Sequence, residues 1–252
     1  MIAAPRLPSF FHLLASAELD STNEEAKRRA REGAPDKTLI CAGMQTAGRG
    51  RGGRSWVSPP GNLYLSLVLR PACPPRRAAE LGFVAAVALE AALQDIAADL
   101  PVTFKWPNDV LLHGRKLAGI LIEADSHGAD ALDWLVLGVG VNVASHPAGT
   151  AVPATSLAAE GLAGIAVETV RDAFAGRFLA AMQDWQREGF GPIRERWRER
   201  AAGIGSVITV RLPNATLRGT FIDLDADGAL LLAPETNDGS VRRITAGDVF
   251  FG

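Results

Sequence analysis

The chain has 252 residues, 48% of them hydrophobic, and a formal net charge of -2 from 26 Lys+Arg against 28 Asp+Glu. That apolar content builds a sizeable core and excludes a disordered chain, and the length suits one large domain with or without a small appendage. Balanced charge argues against nucleic acid as the main partner, whereas the local crowding at Arg49–Arg54 and Arg194–Arg200 leaves an anionic small molecule open. Cys41 and Cys73 are too few for a disulfide framework and point to a reducing compartment, so a cytoplasmic location is expected. No run approaches the roughly 18 apolar residues of a membrane span. Phe10–Leu14 followed by Ala15-Ser16-Ala17 has a faint likeness to a signal peptide, but the apolar stretch is short, carries His12 and is preceded only by Arg6.

In chain order, Phe10–Leu14 reads as a strand leading to Ser21-Thr22-Asn23-Glu24, where Ser21 and Glu24 have capping-box spacing ahead of a helix that stops at Gly33. Thr38–Gln45 is a strand, and Gly48–Gly53 is too glycine-rich for any regular element. Leu63, Leu65, Leu67 and Leu69 alternate with Tyr64, Ser66 and Arg70, the pattern of a half-buried strand. Ala78–Ala98 carries apolar residues at helical spacing. Val102–Lys105 and Ala118–Glu123 read as strands that could be adjacent, either side of a turn at His113-Gly114. In Leu135–Val143 the apolar residues point one way and Gly138, Gly140 and Asn142 the other, which lets a ligand or a neighbouring helix approach the backbone closely. Helices are expected at Val167–Gln186 and Pro192–Arg200, the second with proline in its first turn.

The texture changes after Gly203. Ser206–Leu212, Leu217–Leu224, Ala229–Ala233, Arg242–Thr245 and Val249–Phe251 are short strands separated by Pro213-Asn214, Asp227-Gly228 and Asp238-Gly239, as in a small β-barrel or sandwich. Two domains are therefore expected, 1–203 and 204–252.

Two segments carry chemistry. Gln45-Thr46-Ala47-Gly48-Arg49-Gly50-Arg51-Gly52-Gly53-Arg54-Ser55-Trp56 interleaves arginines with glycines, so backbone N–H groups and guanidinium forks face one ligand, and both suit phosphate or carboxylate. It lacks the Gly-Lys-Ser/Thr of a P-loop, and a solvated loop without a ligand fits the same composition. Trp56 could pin its base to the domain. The second segment runs Lys105-Trp106-Pro107-Asn108-Asp109 and then Arg115-Lys116-Leu117-Ala118-Gly119. Lys116 is followed at once by an apolar strand, so its ammonium could sit at the end of a buried element and hold a carboxylate against a phosphate. A solvated lysine, with Asn108 and Asp109 as ordinary turn residues, is the plainer alternative. His12, His113, His127 and His146 have no metal spacing, no Gly-x-Ser-x-Gly elbow occurs, and Gly138-x-Gly140 is an incomplete nucleotide fingerprint.

Taken together, Asp20-Ser21-Thr22-Asn23, the Gln45–Trp56 loop, Lys105–Asp109, Arg115–Leu121 and Gly138–Asn142 resemble the biotin–protein ligase family in order and spacing. The resemblance implies an α+β fold: a mixed sheet with helices packed on it, class II synthetase-like, plus a small C-terminal SH3-like β-barrel. It implies that biotin's carboxylate attacks the α-phosphate of ATP, supplied with Mg2+, and that a lysine of a biotin carboxyl carrier domain then takes the biotinyl group. By the family pattern Lys116 and Arg51 serve the reacting end of the ligand. Ser21, Thr22, Asn23, Gln45, Gly48, Arg49, Gly50, Arg54, Trp56, Lys105, Asn108, Asp109, Gly119 and Asn142 border biotin and adenylate, and no resident metal site is expected.

Members that double as repressors carry an N-terminal DNA-binding domain, and only about twenty residues precede Ser21 here, too few for such a module. No nucleic-acid or membrane partner is expected, and a homodimer is compatible with the sequence. Two rival readings are a lipoate–protein ligase or octanoyltransferase, whose Arg-Arg-x-Ser-Gly-Gly-Gly and Tyr-His pair are absent, and a non-catalytic ligand sensor.

Overall fold

In the computed structural model, which describes residues 6–126, 128, 131–150, 152–235 and 239–251, seven strands are interspersed with four helices as far as Glu199 and five short strands follow. Strands β1 (His12–Leu19), β2 (Thr38–Gln45), β3 (Leu63–Leu69), β4 (Val102–Lys105), β5 (Asp109–Leu112), β6 (Arg115–Asp125) and β7 (Trp134–Val141) form one seven-stranded sheet. Its order is β1-β2-β3-β7-β6-β5-β4, parallel between β1 and β2 and antiparallel elsewhere. Four helices accompany it: α1 (Thr22–Arg31), α2 (Glu80–Ile96), α3 (Val167–Glu188) and α4 (Gly191–Glu199).

Side chains alternate across a strand, so the two faces of the sheet take different residues. Leu39, Cys41, Leu65, Leu67, Ile120, Leu137 and Val139 share one face and are buried with residues of α2 and α3 in the main core. The opposite face is covered only in part. Ala26 and Ala30 of α1 bury Ile40, Val68 and Val136 there. The remainder of that face stays open, and the functional site lies on it.

Five expectations change in the structure. The first strand is His12–Leu19 rather than Phe10–Leu14, so Ala15-Ser16-Ala17 lies inside an exposed edge strand. The strand at Leu63–Leu69 is buried along its whole length, because its leucines face the main core while on the other side α1 covers Ser66 and Val68 and the Tyr64 hydroxyl donates to the Pro59 carbonyl. Val102–Lys105 and Ala118–Glu123 are not neighbours: β5 lies between them. Its four residues are too short to display a period, and the turn character of Pro107-Asn108 masks its start at Asp109. Ser21 is the N-cap of α1, yet no capping box forms, since Glu24 turns its carboxylate to Lys27 and Arg49 instead. The loop at Gly48–Gly53 also contains one short helical turn, Arg51–Gly53.

The C-terminal strands are β8 (Val207–Arg211), β9 (Thr216–Leu224), β10 (Leu230–Pro234), β11 (Arg242–Ile244) and β12 (Asp248–Phe251). They pair as an antiparallel five-stranded sheet in the order β11-β10-β9-β8-β12. Of the features expected from the sequence, His127 and Asp238 of the Asp238-Gly239 turn lie outside the described residues. Ile208, Val210, Phe221, Leu230 and Val249 join the main core beside Phe83, Phe190 and Trp197. The seam is fastened at the Asp227-Gly228 turn, where the Trp106 indole donates to the Gly228 carbonyl at 3.0 Å. Gly228 has φ 82°, and a Cβ there would meet the Phe83 ring at 2.9 Å. Gly228→Ala is therefore expected to cost about 2 kcal/mol of stability, from backbone strain plus overpacking. Urea denaturation checks it; an unchanged midpoint would mean that Phe83 yields freely.

Candidate active site

A cross-strand row on the open face defines the floor of the site. Register places Lys105 opposite Asp109, Asp109 opposite Gly119, Gly119 opposite Gly140, and Gly140 opposite Tyr64. Directly opposed residues project from the same face. The row thus runs from charged groups on β4 and β5, over two glycines, to an aromatic on β3.

Lys116 joins this face through an irregularity. Between β5 and β6 the register shifts at Val110/Leu111, so Leu111 faces Lys116 where a regular ladder would offer Leu117. A bulge of this kind re-aims a side chain. Leu117 drops into the core, and the Lys116 ammonium reaches Asp109 Oδ1 at 2.6 Å. Lys105 Nζ approaches Asp109 Oδ2 at 3.5 Å, so one buried carboxylate sits between two ammonium groups. Burial lowers the Lys105 pKa from its ordinary value, and Asp109 opposes that shift.

Trp56 occupies the glycine shelf. Cβ atoms at Gly140 and Gly119 would lie 2.8 Å and 3.0 Å from its indole, so a side chain at either position would push the ring off the sheet. The Lys116 ammonium stands 5.2 Å from the ring centroid, within cation–π range. The indole Nε1 is buried without a hydrogen-bond partner among the described residues. Gly138 is approached differently: a Cβ there would meet Asn23 Oδ1 at 2.1 Å. The glycine face of β7 therefore receives both a helix residue and the loop's tryptophan.

At the other end of the cavity a neutral polar cluster forms where α1 begins. Gln45 Oε1 accepts from the Thr22 amide at 2.8 Å and the Thr22 hydroxyl at 3.1 Å, and its Nε2 donates to Ser58 Oγ at 2.8 Å. Ser66 Oγ lies 2.6 Å from Asn23 Oδ1 and 2.8 Å from Thr22 Oγ1. Asn23 Nδ2 donates to Glu123 at 2.9 Å, and Lys27 meets the same carboxylate at 2.8 Å. Burial pushes the Glu123 pKa up, but these two hydrogen bonds, with the charges of Lys27 and Arg49, outweigh it and leave the carboxyl below its usual range.

The arginine loop roofs the site. It folds back on itself through Gly50 N to Arg54 O at 2.6 Å and Trp56 N to Gly48 O at 2.8 Å. Arg49 pairs with Glu24 of α1, while Arg51 and Arg54 both reach Asp248 at the start of β12. Burial lowers the Arg51 pKa.

These walls enclose a cavity of about 530 Å³, within the range of small-molecule sites. Ser21, Thr22, Asn23 and Gln45 line it at one end, and Lys105, Asn108, Asp109 and Lys116 at the other. Arg49, Gly50, Arg51, Arg54 and Trp56 line it from the loop, and Gly119 and Asn142 from the sheet. Gly48 is not in the lining; it is buried behind it, where a Cβ would meet the Trp56 carbonyl at 2.4 Å. Asn142 and Asn108 spend their side-chain amides on the carbonyls of Thr155, at 2.9 Å, and Ile120, at 2.8 Å. They brace the wall while bordering the space. The sequence reading passed over Arg211, Asp248 and Phe250, which line the cavity from the C-terminal sheet. No local pattern marks them, since nearly two hundred positions separate Asp248 from the loop it meets. Among the described residues no cluster of three or more His, Cys, Asp or Glu could hold a metal ion.

A mixed sheet whose open face carries a cavity with cations at one end and neutral polar groups at the other suits a small ligand with one anionic and one uncharged polar end. The chain belongs to the biotin/lipoate A/B protein ligase family, whose model matches residues 7–199, and a biotin protein ligase C-terminal domain matches residues 203–252. It is 41% identical to a biotin–[acetyl-CoA-carboxylase] ligase of Paracoccus denitrificans, over 94% of this chain and 99% of that one. It is 35% identical to the bifunctional ligase/repressor BirA of Bacillus subtilis, covering 96% of this chain and 74% of that protein. The fold superposes with TM-score 0.80 on the Aquifex aeolicus biotin protein ligase in complex with biotin and ATP, at 26% identity and over 96% and 98% of the two chains.

Proposed function

We propose that this chain is a biotin–protein ligase that forms biotinyl adenylate from biotin and MgATP and transfers biotin to a lysine of a biotin carboxyl carrier domain. The observation that carries this reading is the convergence of Lys116 and the arginine loop on one cavity, in a chain of this family. A biotin carboxylate oxygen attacks the α-phosphorus, the bond to the bridging oxygen of the β-phosphate breaks, and pyrophosphate leaves. The uncharged amine of the carrier lysine then attacks the acyl carbon and AMP departs. In the first step two anions must meet, and like charges 4 Å apart repel by about 4 kcal/mol at an effective dielectric near 20. Lys116 sits where it offsets that repulsion. The neutral cluster of Thr22, Asn23 and Gln45 suits the uncharged polar ring of biotin, and Trp56 the body of the ligand. Arg49, Arg51 and Arg54 close over the intermediate and keep water from a mixed anhydride that it would hydrolyse.

We divide the chain into a catalytic domain, 1–203, and a C-terminal domain, 204–252, whose part is completion of the site, a role supported by Arg211, Asp248 and Phe250 in the cavity wall. Magnesium enters as part of the nucleotide substrate. We place the protein in the cytoplasm, a reducing compartment that suits its two free, buried cysteines. No described helix is long and apolar enough to cross a membrane. The reading assigns neither nucleic acid nor membrane as a partner, and it does not depend on whether two copies pair.

Pyrophosphate release measured in parallel with biotin, lipoate and octanoate tests the assignment, followed by mass analysis of an apo carrier domain. Release with biotin and a one-biotin mass gain on the carrier are expected. Turnover with lipoate alone would give the site to the lipoate ligases, and ligand binding without pyrophosphate would make it a sensor.

A further inference from the structure

The C-terminal sheet reaches the arginine loop through the Asp248 carboxylate and the adjoining Gly247 carbonyl. Asp248 opens β12, paired in the ladder with Arg211 of β8, so its backbone is fixed by the sheet. Its side chain meets two loop guanidinium groups at once. Arg51 Nη2 donates to Asp248 Oδ1 and, at 2.5 Å, to the Gly247 carbonyl, while Arg54 Nη2 donates to the same Oδ1 at 3.0 Å. Arg54 Nε in turn donates to the Arg51 carbonyl at 3.0 Å.

The turn between these arginines is closed by the backbone hydrogen bond from Gly50 N to Arg54 O and packs no side chain of its own. Gly52 and Gly53 take φ 67° and 76°, are exposed, and bring no side chain to any core. A shared carboxylate also screens the repulsion between two guanidinium groups held in one short loop. Arg51 Nε is buried at the cavity wall without a partner among the described residues, so Arg51 keeps a donor in hand after Asp248 has been served.

From this arrangement we propose that Asp248 is a positioning residue for the arginine loop. It holds Arg51 and Arg54 over the cavity, so that the C-terminal sheet sets how long the acyl adenylate is retained. Asp248 takes no part in bond making; it acts through the two guanidinium groups. The inference rests on the ligase reading.

The test uses the full chain with Asp248→Asn, Asp248→Ala, Asp248→Glu and Arg51→Gly. Biotinyl adenylate is formed from biotin and MgATP, and its release is followed after a chase with unlabelled biotin. Removing a charge-assisted contact of this kind is expected to speed release about tenfold in Asp248→Ala. Asp248→Asn keeps the shape and loses the charge, so it is expected to fall between, and Asp248→Glu to restore most of the retention. On the Arg51→Gly background, Asp248→Ala is expected to add less than it does alone, since both changes break one contact. Unchanged release in Asp248→Asn and Asp248→Ala, or effects of Asp248→Ala and Arg51→Gly that multiply, would overturn the proposal. If Asp248→Ala loses its fold, Asp248→Asn carries the decision. Wild-type chain that yields no pyrophosphate with biotin is a separate outcome, which defeats the ligase reading and this inference with it.

Discussion

Lys116→Ala is expected to lower biotinyl adenylate formation by roughly 10²- to 10³-fold, the loss typical when one preorganised electrostatic donor is removed from a site. The ammonium is held by Asp109 at 2.6 Å and lies 5.2 Å from the Trp56 ring centroid, so its position is set before the ligand arrives. The fold should survive the change. Asp109 keeps Lys105 as a partner at 3.5 Å, and Lys116 is only partly buried. Lys116→Arg should rescue poorly, because a planar fork with donors in fixed directions cannot reproduce the compact point charge that meets Asp109 at 2.6 Å. Single-turnover pyrophosphate formation at saturating biotin and ATP checks this. A deficit below about tenfold would remove Lys116 from the reacting end of the site.

Asp109→Asn should produce the second large effect, on stability as well as activity. Breaking a buried ion pair from one side strands its partner, at a cost of about 3 kcal/mol. Asp109 and Lys105 are both buried, so Lys105 would lose its nearest counter-charge inside the protein. The sign with pH follows from linkage. Burial already lowers the folded-state pKa of Lys105 below the value of an unfolded lysine, about 10.4. Between those two values the unfolded chain binds the proton and the folded chain does not, so stability rises with pH there. Loss of Asp109 pushes the folded pKa lower still. The variant's deficit is therefore greatest at neutral pH and narrows as the pH is raised towards that of a free lysine. Urea denaturation of both proteins across pH 7–10 measures it. A deficit that stays constant with pH would show that Asp109 acts by shape and not by charge.

Much of the molecule is legible in single segments. β2, β3 and β7 lie within a few residues of the stretches that read as strands, and α2, α3 and α4 within a few residues of those that read as helices. The glycine face of β7 announces a close approach, which the structure resolves into Asn23 at Gly138 and Trp56 at Gly140. Of the residues chosen from the loop and lysine segments, all but Gly48 line one cavity. That convergence was available because each segment carries its chemistry within a dozen positions.

Sequence by itself determined the periodic elements, the change of texture after Gly203 and the side chains able to handle a carboxylate and a phosphate. These follow from local properties: spacing, glycine content and residue type. Tertiary structure alone decided where the charges stand. β5 slips between two strands that looked adjacent; a one-residue bulge at Leu117 turns Lys116 onto the face of Asp109, and a register shift leaves no mark in composition. Asp248 meets Arg51 across almost the whole chain. Pairing, register and contacts between distant segments come from the packing of a common core, which no local window contains.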